Sequence, residues 1–190
     1  RTVVREAVRT LVAKALVEVR SGSGVYVASV DEGAVRESMN LFLHGVGIPS
    51  YSQINEVRQV LELEIAALAA ERATPEDIEA LRLACEDMAA SVGDVEAASA
   101  ADVEFHRALA AATYNPLFMV MIDSIGDILL EIRKATLGIR GRARSGVQFH
   151  QDILERVAAH DVEGAREAMR VHLEDARDTW SKLEARKTRS

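Results

Sequence analysis

Apolar residues between Thr2 and Ala15 fall at Val4, Val8, Leu11, Val12 and Ala15, a spacing that predicts a helix. Arg1, Arg5 and Arg9 recur every fourth residue and share a face beside that stripe. The pattern then changes period. Leu16-Val17-Glu18-Val19-Arg20 and Val25-Tyr26-Val27-Ala28 read as short strands, joined by Ser21-Gly22-Ser23-Gly24, whose glycines permit positive φ. Two strands alone are marginally stable, so this hairpin is expected to lean on the helix before it.

A connecting stretch follows from Asp31 to Tyr51, with Gly45, Gly47 and Pro49 limiting regular structure near its end. Beyond it the helical period dominates. Ser52 is placed to cap a helix carrying Ile54, Val57, Leu61, Ile65 and Leu68. Thr74-Pro75-Glu76-Asp77 is a start signal, with Thr74 as cap and Pro75 at the first helical position. Ile78, Leu81, Cys85 and Met88 form that helix's stripe. A third helix is expected from Asp94 to Tyr114, broken by Asn115-Pro116. The fourth carries Leu117, Met121, Ile125, Ile128 and Ile132 and ends near Gly138. After a solvated arginine-rich loop over residues 140–146, a fifth runs from Val147 to Ala159, and Asp161 caps a sixth that passes Trp180. The fold class predicted is mostly α: a partial winged helix-turn-helix followed by an antiparallel helical bundle. The boundaries expected are residues 1–28 for the first module, 29–51 for a linker and 52–190 for the bundle.

Composition supports helices: 48% of the 190 residues are hydrophobic, only 4% are aromatic, and there are three prolines. No apolar run reaches the roughly 18–20 residues of a membrane span. The lone Cys85 excludes an internal disulfide and suits a reducing compartment, making the cytoplasm the default location. The net charge of −7 argues against a nucleic-acid partner until its distribution is considered. Residues 1–28 hold five basic groups against two acidic ones, whereas the other 162 hold 18 against 28. Such asymmetry suggests a basic binding element attached to an acidic body. Arg1 as the first residue suggests that more of the basic module precedes it.

Four polar residues of the body stand out. Asp102 and His106 lie four apart and project from one helical face. His150 belongs to the stripe Val147, His150, Leu154, Val157, and His172 to the stripe Ala165, Met169, His172, Ala176. Burying all four costs several kcal/mol (a few per group) unless they satisfy one another or a cation. Imidazoles and one carboxylate suit Zn²⁺ first, then Ni²⁺, Mn²⁺ or Fe²⁺. Spacing does not decide between a metal site and a mutually hydrogen-bonded cluster.

The string Arg1-Thr2-Val3-Val4-Arg5-Glu6-Ala7, with Gly22-Ser23-Gly24-Val25-Tyr26-Val27 at the expected separation, resembles the recognition helix and wing of GntR-family regulators. Val3 stands where that family often has proline, and Ala15 where glycine is common. The resemblance implies that Arg1, Thr2 and Arg5 face bases or phosphates of a double-stranded operator, and that Ser21 and Gly22 approach the minor groove. A second resemblance covers residues 35–185. Asp102-Val103-Glu104-Phe105-His106, Asn115-Pro116, Phe149-His150-Gln151-Asp152 and Met169-Arg170-Val171-His172 are similar to the FCD effector domain of FadR-type regulators. It implies that Asp102, His106, His150 and His172 hold a divalent cation beside an effector cavity, and that Arg58 reaches that cavity to grip a carboxylate.

The function expected is a metal-containing transcription regulator that responds to a small organic acid and acts as a homodimer, since two recognition helices meet two half-sites. No membrane partner is expected. One rival is a metal-dependent enzyme acting on a small carboxylate or ester, with water at an open coordination position. Another is a dimerisation module in which the polar residues only bond each other.

Overall fold

The computed structural model describes residues 2–14, 16–28, 38, 41–42, 47, 49–139 and 141–187, with Asp127 and Lys187 described by their backbone alone. Arg1, Ala15, His44, Arg140 and most of the connecting stretch lie outside the described residues. The chain divides into two compact units, Arg1–Gly47 and Ile48–Ser190.

The first unit contains helix α1 (Thr2–Ala13) and the strands β1 (Val17–Arg20) and β2 (Gly24–Val27). The strands pair antiparallel in the register Val17↔Val27, Glu18↔Tyr26, Val19↔Val25, Arg20↔Gly24. Their turn closes through Ser23 N donating to Arg20 O at 3.0 Å, with Gly22 at φ 75°. That conformation favours glycine, as the sequence anticipates. The hairpin leans on α1, because Leu16 N donates to Leu11 O and Ala28 N to Leu16 O.

The second unit is a bundle of six helices: α2 (Tyr51–Arg72), α3 (Pro75–Ala90), α4 (Val95–Ala111), α5 (Pro116–Leu137), α6 (Arg142–Ala158) and α7 (Val162–Lys187). Helix α2 packs on α7, α3 on α4 and α6, α4 on α5, and α6 on α7. The core gathers Ile65, Leu81, Phe105, Leu109, Ile153, Met169 and Leu173.

Local chemistry sets the helix ends. Thr74 caps α3 in a reciprocal box with Asp77, Pro75 follows at the first helical position, and Asp94 caps α4 through Ala97 N. Asn115 caps α5 through Leu117 N, and Asp161 accepts from Gly164 N in the first turn of α7. Two expectations need correction. The cap of α2 is Ser50 rather than Ser52, because Ser50 forms a capping box with Gln53 and Ser52 lies inside the helix. Helix α6 begins at Arg142, not Val147; Gly141 at φ 86° turns the chain directly into it. Arg142 therefore sits in the first turn of α6, paired with Asp175, rather than in a solvated loop.

The expected stripe of α5 is out of phase at its start, and that of α2 holds at Ile54 and Ile65 but not at Val57. Val57 of α2 is 46% exposed, and Leu117 and Met121 of α5 are exposed as well. The inward faces are Tyr51, Ile54, Asn55, Arg58, Glu62 and Ile65 on α2, and Ile122, Leu129, Arg133 and Thr136 on α5. Both helices are apolar on two sides, so periodicity alone does not fix which side faces the core.

Candidate metal centre

Asp102 and His106, one turn apart on α4, are both buried. His150 of α6 has no exposed surface, and His172 of α7 is buried beside it. The four residues converge: each offers a ligand atom, and these atoms lie within 4.8 Å of one another. His150 Nε2 is 3.4 Å from Asp102 Oδ1, and His106 Nε2 is 3.9 Å from Asp102 Oδ2. The ring centroids of His106, His150 and His172 are 4.9–5.4 Å apart. Phe105 stacks on His150 at 4.2 Å with an interplanar angle of 8°, fixing the plane of that ring.

Burial controls the charge states. It drives His150 down to about 3, with His106 and Arg133 adding in that direction, and it drives His172 down as well, helped by His150 and His106. Both are neutral imidazoles at pH 7. Burial opposes ionisation of Asp102, but the Arg133 guanidinium and the surrounding imidazoles together hold its carboxyl below the usual range.

Two further buried groups touch the cluster, Glu62 on α2 and Arg133 on α5, and Asn55 is buried on the same face of α2; sequence reading did not single them out. Arg133 Nε lies against Asp102 Oδ2. Arg58, which the family resemblance implies reaches an effector cavity, is buried, and its Nε is 2.6 Å from Glu62 Oε1. Glu62 Oε2 in turn lies 2.5 Å from His106 Nδ1, at an angle off the line of a hydrogen bond. The available signal for Glu62 and Asn55 was their spacing from Arg58, four and three residues, which places all three on one face of α2.

The donor set fits a divalent ion. Both ring nitrogens of His150, Nε2 of His106 and Nδ1 of His172 are buried and hydrogen-bonded to nothing among the described residues. Buried polar atoms are ordinarily satisfied, so partnerless nitrogens on histidines that each bring one ligand atom to the Asp102 carboxylate suit a Lewis acid. Cys85, by contrast, is packing: burial pushes its thiol up to about 12.

The DNA-facing residues expected from sequence lie in the first unit. Thr2 and Arg5 are exposed on α1, and Ser21 and Gly22 are exposed at the β1–β2 turn. Arg1 lies outside the described residues.

A helical bundle with a buried acid–histidine cluster, preceded by a basic helix and hairpin, defines a class, and comparison with known proteins agrees. The profile of the FCD domain matches residues 53–175, and the chain belongs to that family. It is 32% identical over 186 residues to the HTH-type transcriptional regulator LutR of Bacillus subtilis (strain 168), covering 95% of this chain and 84% of that protein. It is 32% identical over 184 residues to the HTH-type transcriptional repressor NanR of Escherichia coli (strain K12), covering 93% of this chain and 69% of that protein. Among solved structures it resembles a GntR protein of Streptococcus agalactiae, with a TM-score of 0.66 at 24% identity over 93% of this chain and 81% of that one. The chain is a ligand-responsive transcription regulator of the GntR/FCD type and not an enzyme, which sets aside the hydrolytic alternative. Among the described residues no helix is long and apolar enough to cross a membrane.

Proposed function

We propose that Asp102, His106, His150 and His172 hold one divalent cation, Zn²⁺ before Ni²⁺, Mn²⁺ or Fe²⁺, and that this cation and Arg58 bind a small organic acid as effector. The observation that carries the reading is the charge balance of the chamber. Arg58 and Arg133 are matched by Glu62 and Asp102, around imidazoles of which two are driven neutral. A dication adds two positive charges that nothing else in the chamber offsets, and an uncompensated buried charge is costly. An anionic ligand supplies the compensation, with a guanidinium fork suited to its carboxylate. Once bound, the cation supplies a Lewis-acid anchor for one ligand oxygen.

The regulatory output follows from the first unit. Thr2 and Arg5, together with Arg1, contact the operator, and Ser21 and Gly22 reach the groove beside it. Two half-sites require two copies. The apolar residues left outside the core of the bundle, Val57 and Val60 on α2 and Leu117 and Met121 on α5, are surface that a second copy can cover. Coupling between effector and operator of about 1–3 kcal/mol is the usual scale for such proteins.

Elemental analysis of protein purified without added metal tests the first step, with one divalent ion per chain expected and none in His150→Ala. A thermal-shift series with acetate, lactate and citrate, each with and without chelator, tests the second. Stabilisation that vanishes on chelation is expected; no metal in the wild-type protein, or stabilisation indifferent to chelator, overturns the reading.

A further inference from the structure

Glu62 stands apart from the four candidate ligands, yet it is among the most deeply buried charges in the bundle, at 2% exposure. Its two oxygens face different partners. Oε1 is 2.6 Å from Arg58 Nε, and Oε2 is 2.5 Å from His106 Nδ1. The other nitrogen of that imidazole, Nε2, faces Asp102 and the cluster. One carboxylate thus links the guanidinium assigned to the anion with a histidine assigned to the cation.

We propose that Glu62 is the positioning residue that couples the two ligands, holding His106 with its proton on Nδ1 so that Nε2 is the ligand atom, and yielding part of its hold on Arg58 when an anion arrives. This rests on the metal-and-anion reading above.

The physics gives the coupling a sign. A carboxylate beside Nδ1 stabilises the N–H there, which fixes the tautomer and makes Nε2 a better donor to a cation. Arg58 draws on the same carboxylate and weakens that effect. An anion that takes over the guanidinium returns the negative charge of Glu62 to His106, so anion binding tightens cation binding. Linkage requires the converse by the same factor. Asp102 and Arg133 form a parallel arrangement on the other side of the cluster, but there the carboxylate is itself a candidate ligand, so Arg133 acts on the ion through only one atom group. Glu62 alone among the described carboxylates touches both an arginine and a cluster histidine without belonging to the cluster.

The test compares Glu62→Gln with Arg58→Gln, because the proposal gives them opposite signs. Zinc affinity is measured by chelator competition, with and without acetate, and folding is checked by far-UV circular dichroism. Glu62→Gln should weaken zinc by about 10–100-fold, the range for loss of an outer-shell partner. Arg58→Gln should bind zinc at least as tightly as the wild type in the absence of acetate, while acetate should no longer tighten it. Cobalt(II) gives a second readout: its visible ligand-field bands should move in opposite directions in Glu62→Gln and Arg58→Gln. Should Glu62→Gln fail to fold, Glu62→Asp, whose shorter side chain reaches one partner at a time, takes its place with the same expectation. Equal weakening in both variants would mean that the pair is merely structural, and wild-type affinity in Glu62→Gln would mean that Glu62 does not act on His106; either overturns the inference while leaving the metal site intact. Absence of zinc binding in the wild type would remove the metal reading and this inference together.

Discussion

The depressed titration of His150 makes the metal-free protein acid-sensitive in a window that can be calculated. An imidazole in an unfolded chain takes up its proton near 6.5, whereas burial holds His150 at about 3. As the pH falls from 7.5, the unfolded state gains a proton before the folded state does, so protons favour unfolding. The stabilisation is present in full above 6.5 and is lost progressively as the pH falls towards 3. Integrated from pH 7.5 to 5, His150 alone removes about 2 kcal/mol. At roughly 3 °C per kcal/mol for a domain of this size, Tm should fall by about 6 °C, and His172, shifted in the same direction, adds to that. Ordinary carboxylates titrate below this window, which isolates the histidines. The assay is thermal unfolding of chelator-treated protein at half-unit pH steps, beside His150→Phe, whose ring can keep the stack on Phe105 without titrating. A slope that is flat in the wild type, or undiminished in His150→Phe, would refute the assignment. With zinc present Tm at pH 7.5 should rise, and the increment should shrink by pH 5, because protons compete for the same nitrogens.

Three other outcomes follow from the structure. Asp102→Asn and His172→Ala each remove a candidate ligand and should lower zinc affinity by more than the roughly 10–100-fold of an outer-shell loss, read by chelator competition. Thr74→Ala deletes half of the capping box of α3 and should cost about 1 kcal/mol, seen as a Tm lower by roughly 3 °C with zinc affinity unchanged. Leu81→Ala removes a fully buried side chain from the core and should cost about 2–5 kcal/mol in denaturant titration.

The inward phase of the four candidate ligands was legible in the sequence, their role came only from the resemblance, and their surroundings were not legible, for a physical reason. Asp102 and His106 share a face by spacing alone, and His150 and His172 interrupt apolar stripes on helices whose other faces are charged, so their phase is unambiguous. Helices α2 and α5 lack that asymmetry. Val57 and Leu117 look like core positions and are exposed, while Glu62 and Arg133 look like surface positions and are buried. A charged residue on an inward face is visible only when the partner that neutralises it is known, and here the partners come from other helices: His106 of α4 for Glu62 and Asp102 of α4 for Arg133. The start of α2 was readable. Ser50 and Gln53 have the capping-box spacing, but Ser52 drew the assignment two residues too late.

The bundle has an extensive apolar core apart from its polar centre. Its apolar core, with Ile65, Leu81, Leu109, Ile153, Met169 and Leu173 fully or nearly fully buried, is continuous across α2, α3, α4, α6 and α7. A helix cap or terminal charge pair would have been at liberty to sit at the surface, and most charge pairs among the described residues do. Arg58, Glu62, Asp102 and Arg133 instead occupy the interior, where well-packed hydrophobic residues of the same volume are often neutral or more stable by about 1–4 kcal/mol. Three histidines with unsatisfied nitrogens add to that burden. The placement makes sense on the proposed reading: a cation would satisfy the nitrogens and an anion would offset its charge, so the free energy recovered on binding would depend on both at once. A site that is incomplete without its ligands is also the one whose occupancy can change the behaviour of the helices that carry it, which is what a regulator requires of its sensing domain.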